Sequence, residues 1–358
     1  PRWGRISEGA GEDPYLGSLI AAARVRGFQG ADLAAPDTIL ATAKHFAAYG
    51  AAQAGRDYHT TDMSGRTLRE VYLPPFKAAV DAGVASIMSA FNELNGEPAT
   101  GNKYLLTDVL RGDWGFEGFV VSDYTSVNEM IAHGFAADKA DAGDLAINAG
   151  LDMDMQGGAF MEHLAASVSE GRVSAARIDE ATRAVLEMKY RLGLFDDPYR
   201  YSDPVREKTM VKRPEHLEAA RDVARKSMVL LKNSRDILPL RESVKSIALI
   251  GPLGDSKADM IGSWAGAGDR ASDPVTLLEG LSARAGEGVS IRYVKGAGYD
   301  FADAEDRSGF AEALAAAREA DVVIAAMGER WDMTGEAASR TSLDLPGAQE
   351  ELLKGLKA

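Results

Sequence analysis

Gly118-Phe119-Val120-Val121-Ser122-Asp123-Tyr124 is the stretch from which the fold can be read. Three apolar, mostly β-branched residues follow a glycine and stop at a serine and an aspartate, the pattern of a short buried strand ending in polar residues. Similar runs occur at 39–46, 85–91 and 151–155, and amphipathic stretches lie between them. Strands alternating with helices predict parallel βαβ units with right-handed crossovers. About four such units are legible, where a closed (β/α)₈ barrel needs eight. The helices carry their own punctuation. Thr67 with Glu70 predicts a capping box, Pro74–Pro75 a break and restart, and Leu105, Leu106, Val109 and Leu110 an apolar face closed by Gly112 and Gly115. Ser174 and Gly193 predict the two caps of a helix whose apolar residues run from Ile178 to Leu192.

Residues 195–215 carry prolines and charges without periodicity and read as a linker. A second βα block follows, with helices expected at 215–232, 276–285 and 309–320 and strands at 246–250, 290–294 and 322–326. The expected organisation is a partial barrel over 1–194, the linker 195–215, and the opening part of a doubly wound domain over 216–358. The fold class is α/β throughout.

In parallel barrels, reacting groups sit where strands end, so polar residues just after each apolar run are the first candidates. Asp123 is one; a nucleophile, a metal ligand and an N-cap for the next helix all remain open. Lys44-His45 ends another run. Adjacent strand residues face opposite ways, so both reach one pocket only at an irregular turn. Arg56 follows in a glycine-containing loop, and Arg2 and Arg5 flank Trp3. An arginine beside an aromatic can fork onto vicinal hydroxyls while the ring stacks on a sugar face; a surface ion pair is the plainer alternative. Asp152 and Asp154 share a strand face but have no third ligand at metal spacing, so a structural role is expected and no metal site. Gly251-Pro-Leu-Gly254 lacks the Lys-Ser/Thr of a phosphate loop. Glu329 and Glu336 lie beyond the last strand of the second block, on the side where such sheets bind ligands.

The chain has 358 residues, 46% hydrophobic and 26% charged, which suits a core-forming globular protein and excludes a disordered chain. Its net charge of −14 repels phosphate backbones and anionic lipid, so neither nucleic acid nor membrane is an expected partner. With no cysteine, thiolate catalysis and Cys-ligated zinc are excluded.

With these residues in hand, the sequence resembles the glycoside hydrolase family 3 β-glucosidases of the bacterial periplasmic type. PRWGRISEGAGEDPYL (1–16), KHFAAYG (44–50), GRDYHTTDMS (55–64), MSAFNELNG (88–96), GFVVSDY (118–124), NAGLDMDM (148–155), VLLKN (229–233) and TGEAASR (334–340) occur in family order. The resemblance implies a (β/α)₈-type catalytic domain followed by an α/β sandwich domain. It implies that Asp123 is the nucleophile and Glu336 the general acid/base, and that Arg5, Lys44, His45, Arg56 and Met88 hold the first sugar. A related branch that cleaves N-acetylglucosaminides carries KHFPGHG, which KHFAAYG does not match. Tyr124 stands where many relatives have Trp, a departure that would alter sugar stacking.

The expected activity is retaining, exo-acting cleavage of terminal β-D-glucosyl residues from gluco-oligosaccharides or aryl and alkyl β-glucosides, without a cofactor. Retention needs one ionised carboxylate and one protonated carboxyl roughly 5–5.5 Å apart. A β-xylosidase, a non-catalytic sugar-binding paralogue and a Lys44 Schiff-base lyase are the competing readings. The family's barrel begins before PRWGR with strands that supply a further sugar-binding Asp, and its second domain extends further. Loss of both ends is therefore expected, as are an inactive isolated polypeptide and a periplasmic or secreted parent.

Overall fold

The computed structural model describes residues 3–265, 274–300 and 302–358. Arg2 lies outside the described residues. The chain divides into two compact units. Ile6–Val211 build the first, while Trp3–Arg5 join Lys212–Ala358 in the second.

In the first unit, β1 (Thr42–Phe46), β2 (Ser86–Ser89) and β5 (Phe119–Val121) form a parallel sheet in the order β1-β2-β5. Phe46, Ile87 and Val120 are fully buried within it, as short β-branched and aromatic runs covered on both faces should be. The expected fourth strand at 151–155 reduces to one bridge, Met153 to Val121. The reason lies in its aspartates. Asp152 accepts hydrogen bonds from Arg111, from Arg177 at 2.7 Å and from the Val120 amide at 2.8 Å. Asp154 accepts from the Gly157 and Ala159 amides and so starts the helix Ala159–Ser169. These partners give both aspartates structural roles, and no metal-binding cluster is found among the described residues.

Between β2 and β5 a two-stranded hairpin, β3 (Glu93–Leu94) with β4 (Glu97–Pro98), turns at Asn95-Gly96. Both turn residues take positive φ, which asparagine and glycine tolerate best. Helices pack around the sheet. Pro74–Asp81 begins at the expected proline pair, and Tyr104–Asp113, wound as a π-helix, buries Leu105, Leu106, Val109 and Leu110. Ala175–Arg191 is capped by Ser174 as expected. The capping box at Thr67 does not form: Ser64 is the N-cap, accepting from the Thr67 amide at 3.2 Å.

In the second unit, β6 (Ser246–Ile250), β7 (Ser290–Val294) and β8 (Val322–Ala325) form a parallel sheet in the order β7-β6-β8. Ala248, Ile250 and Val294 pack with Ala313 and Ala316 of the helix Phe310–Glu319 and with Leu352 of the helix Gln349–Lys357. The β6 position in mid-sheet with a helix after it is the arrangement of a doubly wound domain. Pro214–Ser227 is shorter than its expected span of 215–232, because Met228 turns extended. Among the described residues, no helix is long and apolar enough to cross a membrane.

Candidate active site

Asp123 sits two residues beyond β5, and its backbone is tied on both sides. The Ser122 amide donates to Met153 O at 2.9 Å, Ser122 Oγ accepts from the Met155 amide, and Ser126 N donates to Asp123 O at the start of the helix Ser126–Ala132. The side chain is 10% exposed. Its Oδ1 accepts the Tyr124 amide at 2.7 Å, and its Oδ2 lies 3.4 Å from His45 Nε2. Thr125, not Asp123, is the N-cap of that helix, and the Asp123 carboxylate is turned to His45.

His45 reaches this position because β1 is irregular. The β1–β2 register gains one residue between Ala43 and Phe46, a bulge that breaks the in-and-out alternation of side chains. The Lys44–His45 and Phe46–Ala47 peptides are both cis. His45 packs edge-on against Tyr49 at 5.1 Å. Tyr49 donates to Asp57, and Tyr58 meets Phe91 at 4.9 Å. Lys44 and Arg56 are exposed, Arg56 closing a turn through its amide to Gln53 O. Met88 pairs with Val121 across β2 and β5, two residues before Asp123. Tyr124 is 54% exposed.

Several neighbours were missed by sequence reasoning. Glu93 accepts from Thr60 Oγ1 at 2.7 Å and faces His133 Nδ1 at 3.0 Å, linking the Arg56 loop, the hairpin and the helix after Asp123. Glu129 lies on that helix. Burial pushes its carboxyl above the ordinary value; His133 opposes this and the Asp123 charge reinforces it. Glu93 and His133 lie 40 residues apart, with no motif spacing to announce the pair.

Arg5 and Glu336 belong to the second unit, where Arg5 Nη1 lies 3.4 Å from Glu336 Oε1. The Arg5 guanidinium also lies over the Trp264 ring at 5.3 Å. Glu329 pairs with Arg340, whose second nitrogen donates to Asp344 O, so this candidate carboxylate braces the Glu336 loop. The same unit holds Asp259, which accepts from Tyr299 Oη at 2.6 Å and from the Trp331 amide at 2.7 Å. Burial and the Asp259 carboxylate push the Tyr299 phenol up to about 12. The Gly251–Gly254 loop spends its Gly251 and Leu253 amides on Val294 O and Ala326 O. Those donors face neighbouring strands, which supports the reading of this loop as no phosphate cradle.

Residues 1–188 match the family described as Glycosyl hydrolase family 3 N terminal domain, and residues 228–358 match its C-terminal domain. Over the whole chain the sequence is 45% identical to a periplasmic beta-glucosidase of Salmonella typhimurium, of which it covers 49%. It is 39% identical to a beta-xylosidase of Formosa agariphila, with 99% of the chain and 50% of the relative aligned. The structure superposes over its full length on a beta-glucosidase from Listeria innocua solved with laminaribiose, with a TM-score of 0.92, 38% identity and 48% of that chain covered. The chain thus spans about half the length of these relatives. The two sheets accordingly belong to a barrel-like N-terminal domain and an α/β sandwich domain.

Proposed function

The chain belongs to glycosyl hydrolase family 3, and on that premise we propose that it carries the catalytic groups of a retaining, exo-acting β-glucosidase. The observation that carries the reading is the buried Asp123 carboxylate at the end of a parallel strand, with one oxygen on the Tyr124 amide and the other beside His45. In the proposed reaction Asp123 attacks the anomeric carbon as the bond to the leaving oxygen breaks, and Glu336 delivers its proton to that oxygen. A water then attacks the glycosyl ester and gives its proton to Glu336, returning the sugar with its β configuration and both carboxyls to their starting states. Lys44, His45, Arg56 and Met88 are proposed to hold the first sugar, with Tyr124 at its rim. Possession of both carboxylates speaks against a purely sugar-binding paralogue, which has no use for an acid/base.

The first anomer released, followed by proton NMR, tests this reading. The expected product is β-glucose from the longest natural polypeptide that carries this sequence; α-glucose as first product contradicts it. A β-xylosidase is the second reading, favoured by the Formosa agariphila relative. The kcat/KM ratio for matched aryl glucoside and xyloside decides between them, and a glucoside preference of about tenfold or more is expected.

We also propose that the 358-residue polypeptide by itself does not hydrolyse β-glucosides. Support comes from its first unit, where three parallel strands are found among the described residues, and from the exposed apolar run Met228–Leu231. Hydrolysis of an aryl β-glucoside by purified 1–358 at a rate ordinary for a β-glucosidase, with a kcat of about 1 per second or more, overturns this. A periplasmic location is proposed from the name of the Salmonella relative.

A further inference from the structure

Asn92 lies just past β2, ahead of the β3–β4 hairpin, and is fully buried. Its main-chain oxygen accepts the Ala99 amide at 3.0 Å, which closes the chain behind the hairpin. Its Nδ2 faces three acceptors: Ala47 O at 3.3 Å, Thr61 Oγ1 at 3.1 Å and Glu93 O at 3.1 Å. Two of these are main-chain carbonyls, which only accept, so the NH2 end of the amide has to point at them. The Thr61 hydroxyl spends its own proton on Glu93 O at 2.8 Å, which leaves its oxygen free to accept from Asn92. Asn92 Oδ1 has no partner among the described residues, so the side chain works as a donor alone. A leucine of similar size would spare that buried oxygen and lose all three contacts; the contacts are what an amide supplies here.

Ala47 and Thr61 are the two ends of one excursion of the chain, 48–60. Lys44 and His45 stand just ahead of it, and Arg56 lies within it. The excursion contains short 3-10 turns, with Ala48 and Ala54 at positive φ, and no strand or α-helix to hold it. Gln53 N donates to Thr60 O at 2.9 Å, so the Arg56 turn closes directly beside Thr61. We propose that Asn92 is a positioning residue that staples Ala47 to Thr61 and so sets Lys44–His45 and Arg56 relative to each other; this rests on the reading of those residues as holders of the first sugar. Lys44 and Arg56 are long, exposed side chains, and where their charged ends stand follows from where the backbone is fixed. A hydrogen bond to a sugar hydroxyl weakens steeply once the donor shifts by a fraction of an ångström. Asn92→Asp would put a carboxylate oxygen against the Ala47 and Glu93 carbonyls and open the staple without changing the side chain's size.

A residue that acts through others loses its effect when those others are gone, and a double-mutant cycle reads this directly. The test measures the affinity of isofagomine, a piperidine analogue of glucose whose binding needs no turnover, by calorimetry. It uses the longest natural polypeptide carrying this sequence. Asn92→Asp and Asn92→Ala are each made alone, with Lys44→Ala and with Arg56→Ala. Alone, each Asn92 variant is expected to raise Kd about tenfold. In the Lys44→Ala and Arg56→Ala backgrounds the same change is expected to cost only about threefold, because one of the groups it displaces is already absent. A merely structural role gives the same factor in all three backgrounds. That additive result overturns the proposal, as do coupling to only one of the two cations and an unchanged Kd in the Asn92 variants. Far-ultraviolet circular dichroism reports whether the variants fold. If neither Asn92 variant folds, Thr61→Val carries the test: it is expected to couple to Arg56→Ala, and additivity there overturns the proposal. Unchanged affinity in both Lys44→Ala and Arg56→Ala refutes the sugar-holding reading itself. A loss in those two without coupling to Asn92 refutes the positioning role alone.

Discussion

His45 Nε2 stands 3.4 Å from Asp123 Oδ2 although their strands, β1 and β5, are separated in the sheet by β2. The extra residue in β1 between Ala43 and Phe46 moves His45 out of plain alternation at the strand end, and Asp123 lies just past the end of β5. Two ends of one parallel sheet thereby converge on one carboxylate, as expected of sites built where parallel strands end.

Removal of that imidazole should reduce activity without unfolding the protein. In the longest natural polypeptide carrying this sequence, His45→Ala is expected to lower kcat/KM for an aryl β-glucoside by about a hundredfold, the usual cost of a loosened reacting group. His45→Gln, which keeps a donor near the same place, should retain more. Far-ultraviolet circular dichroism should be unchanged in both. An alanine variant with full activity removes His45 from the site.

Asp152 anchors the sheet and has no proposed part in the chemistry. Its two oxygens serve Arg111, Arg177 and the Val120 amide, and the carboxylate is buried. Asp152→Ala leaves two guanidinium groups facing each other without their common anion. A loss of about 3–5 kcal/mol is expected, the scale for breaking one side of a buried ion pair. Urea unfolding measures it, and a loss below about 1 kcal/mol contradicts the account.

Glu129 gives a pH-dependent prediction. Burial is the largest influence, with His133 opposing and Asp123 reinforcing, and the net effect raises its carboxyl above 4.5. A carboxyl that holds its proton more tightly when folded stabilises the fold at low pH. That stability is lost as pH rises from 4.5 through the folded value. Glu129→Gln removes the charge that costs stability at neutral pH. The variant should resist urea better than the wild type near pH 7, and the advantage should shrink as pH falls below the unfolded value. A variant less stable than the wild type at pH 7 refutes this.

These cases show which parts of the fold are legible in sequence. Strands β6 and β7 fall on their expected residues, because short apolar β-branched runs bounded by polar residues have few other uses. Strand β1 starts three residues late: Ile39 is 62% exposed and its amide is spent on Phe28 O, so the apolar run extends beyond the strand. The Ser64 cap competes with Thr67 in the same few residues, and spacing alone favours neither. The Asn95-Gly96 hairpin had a legible turn signal inside MSAFNELNG that went unread. Glu93–His133 and Arg5–Glu336 join residues 40 and 331 positions apart, and no local pattern carries such pairings. The place of Asp123 just past a buried strand was legible because the apolar run stops directly before Ser122 and Asp123.

In the proposed reaction Asp123 forms the covalent bond to the sugar. Incubation of the longest natural polypeptide carrying this sequence with a 2-deoxy-2-fluoro-β-glucosyl fluoride, followed by peptide mass spectrometry, is the decisive test. One fluoroglucosyl group per polypeptide is expected on the peptide containing Asp123, and no labelling of the Asp123→Ala variant. Label on another carboxylate, or an Asp123→Ala enzyme with activity within tenfold of the wild type, contradicts it.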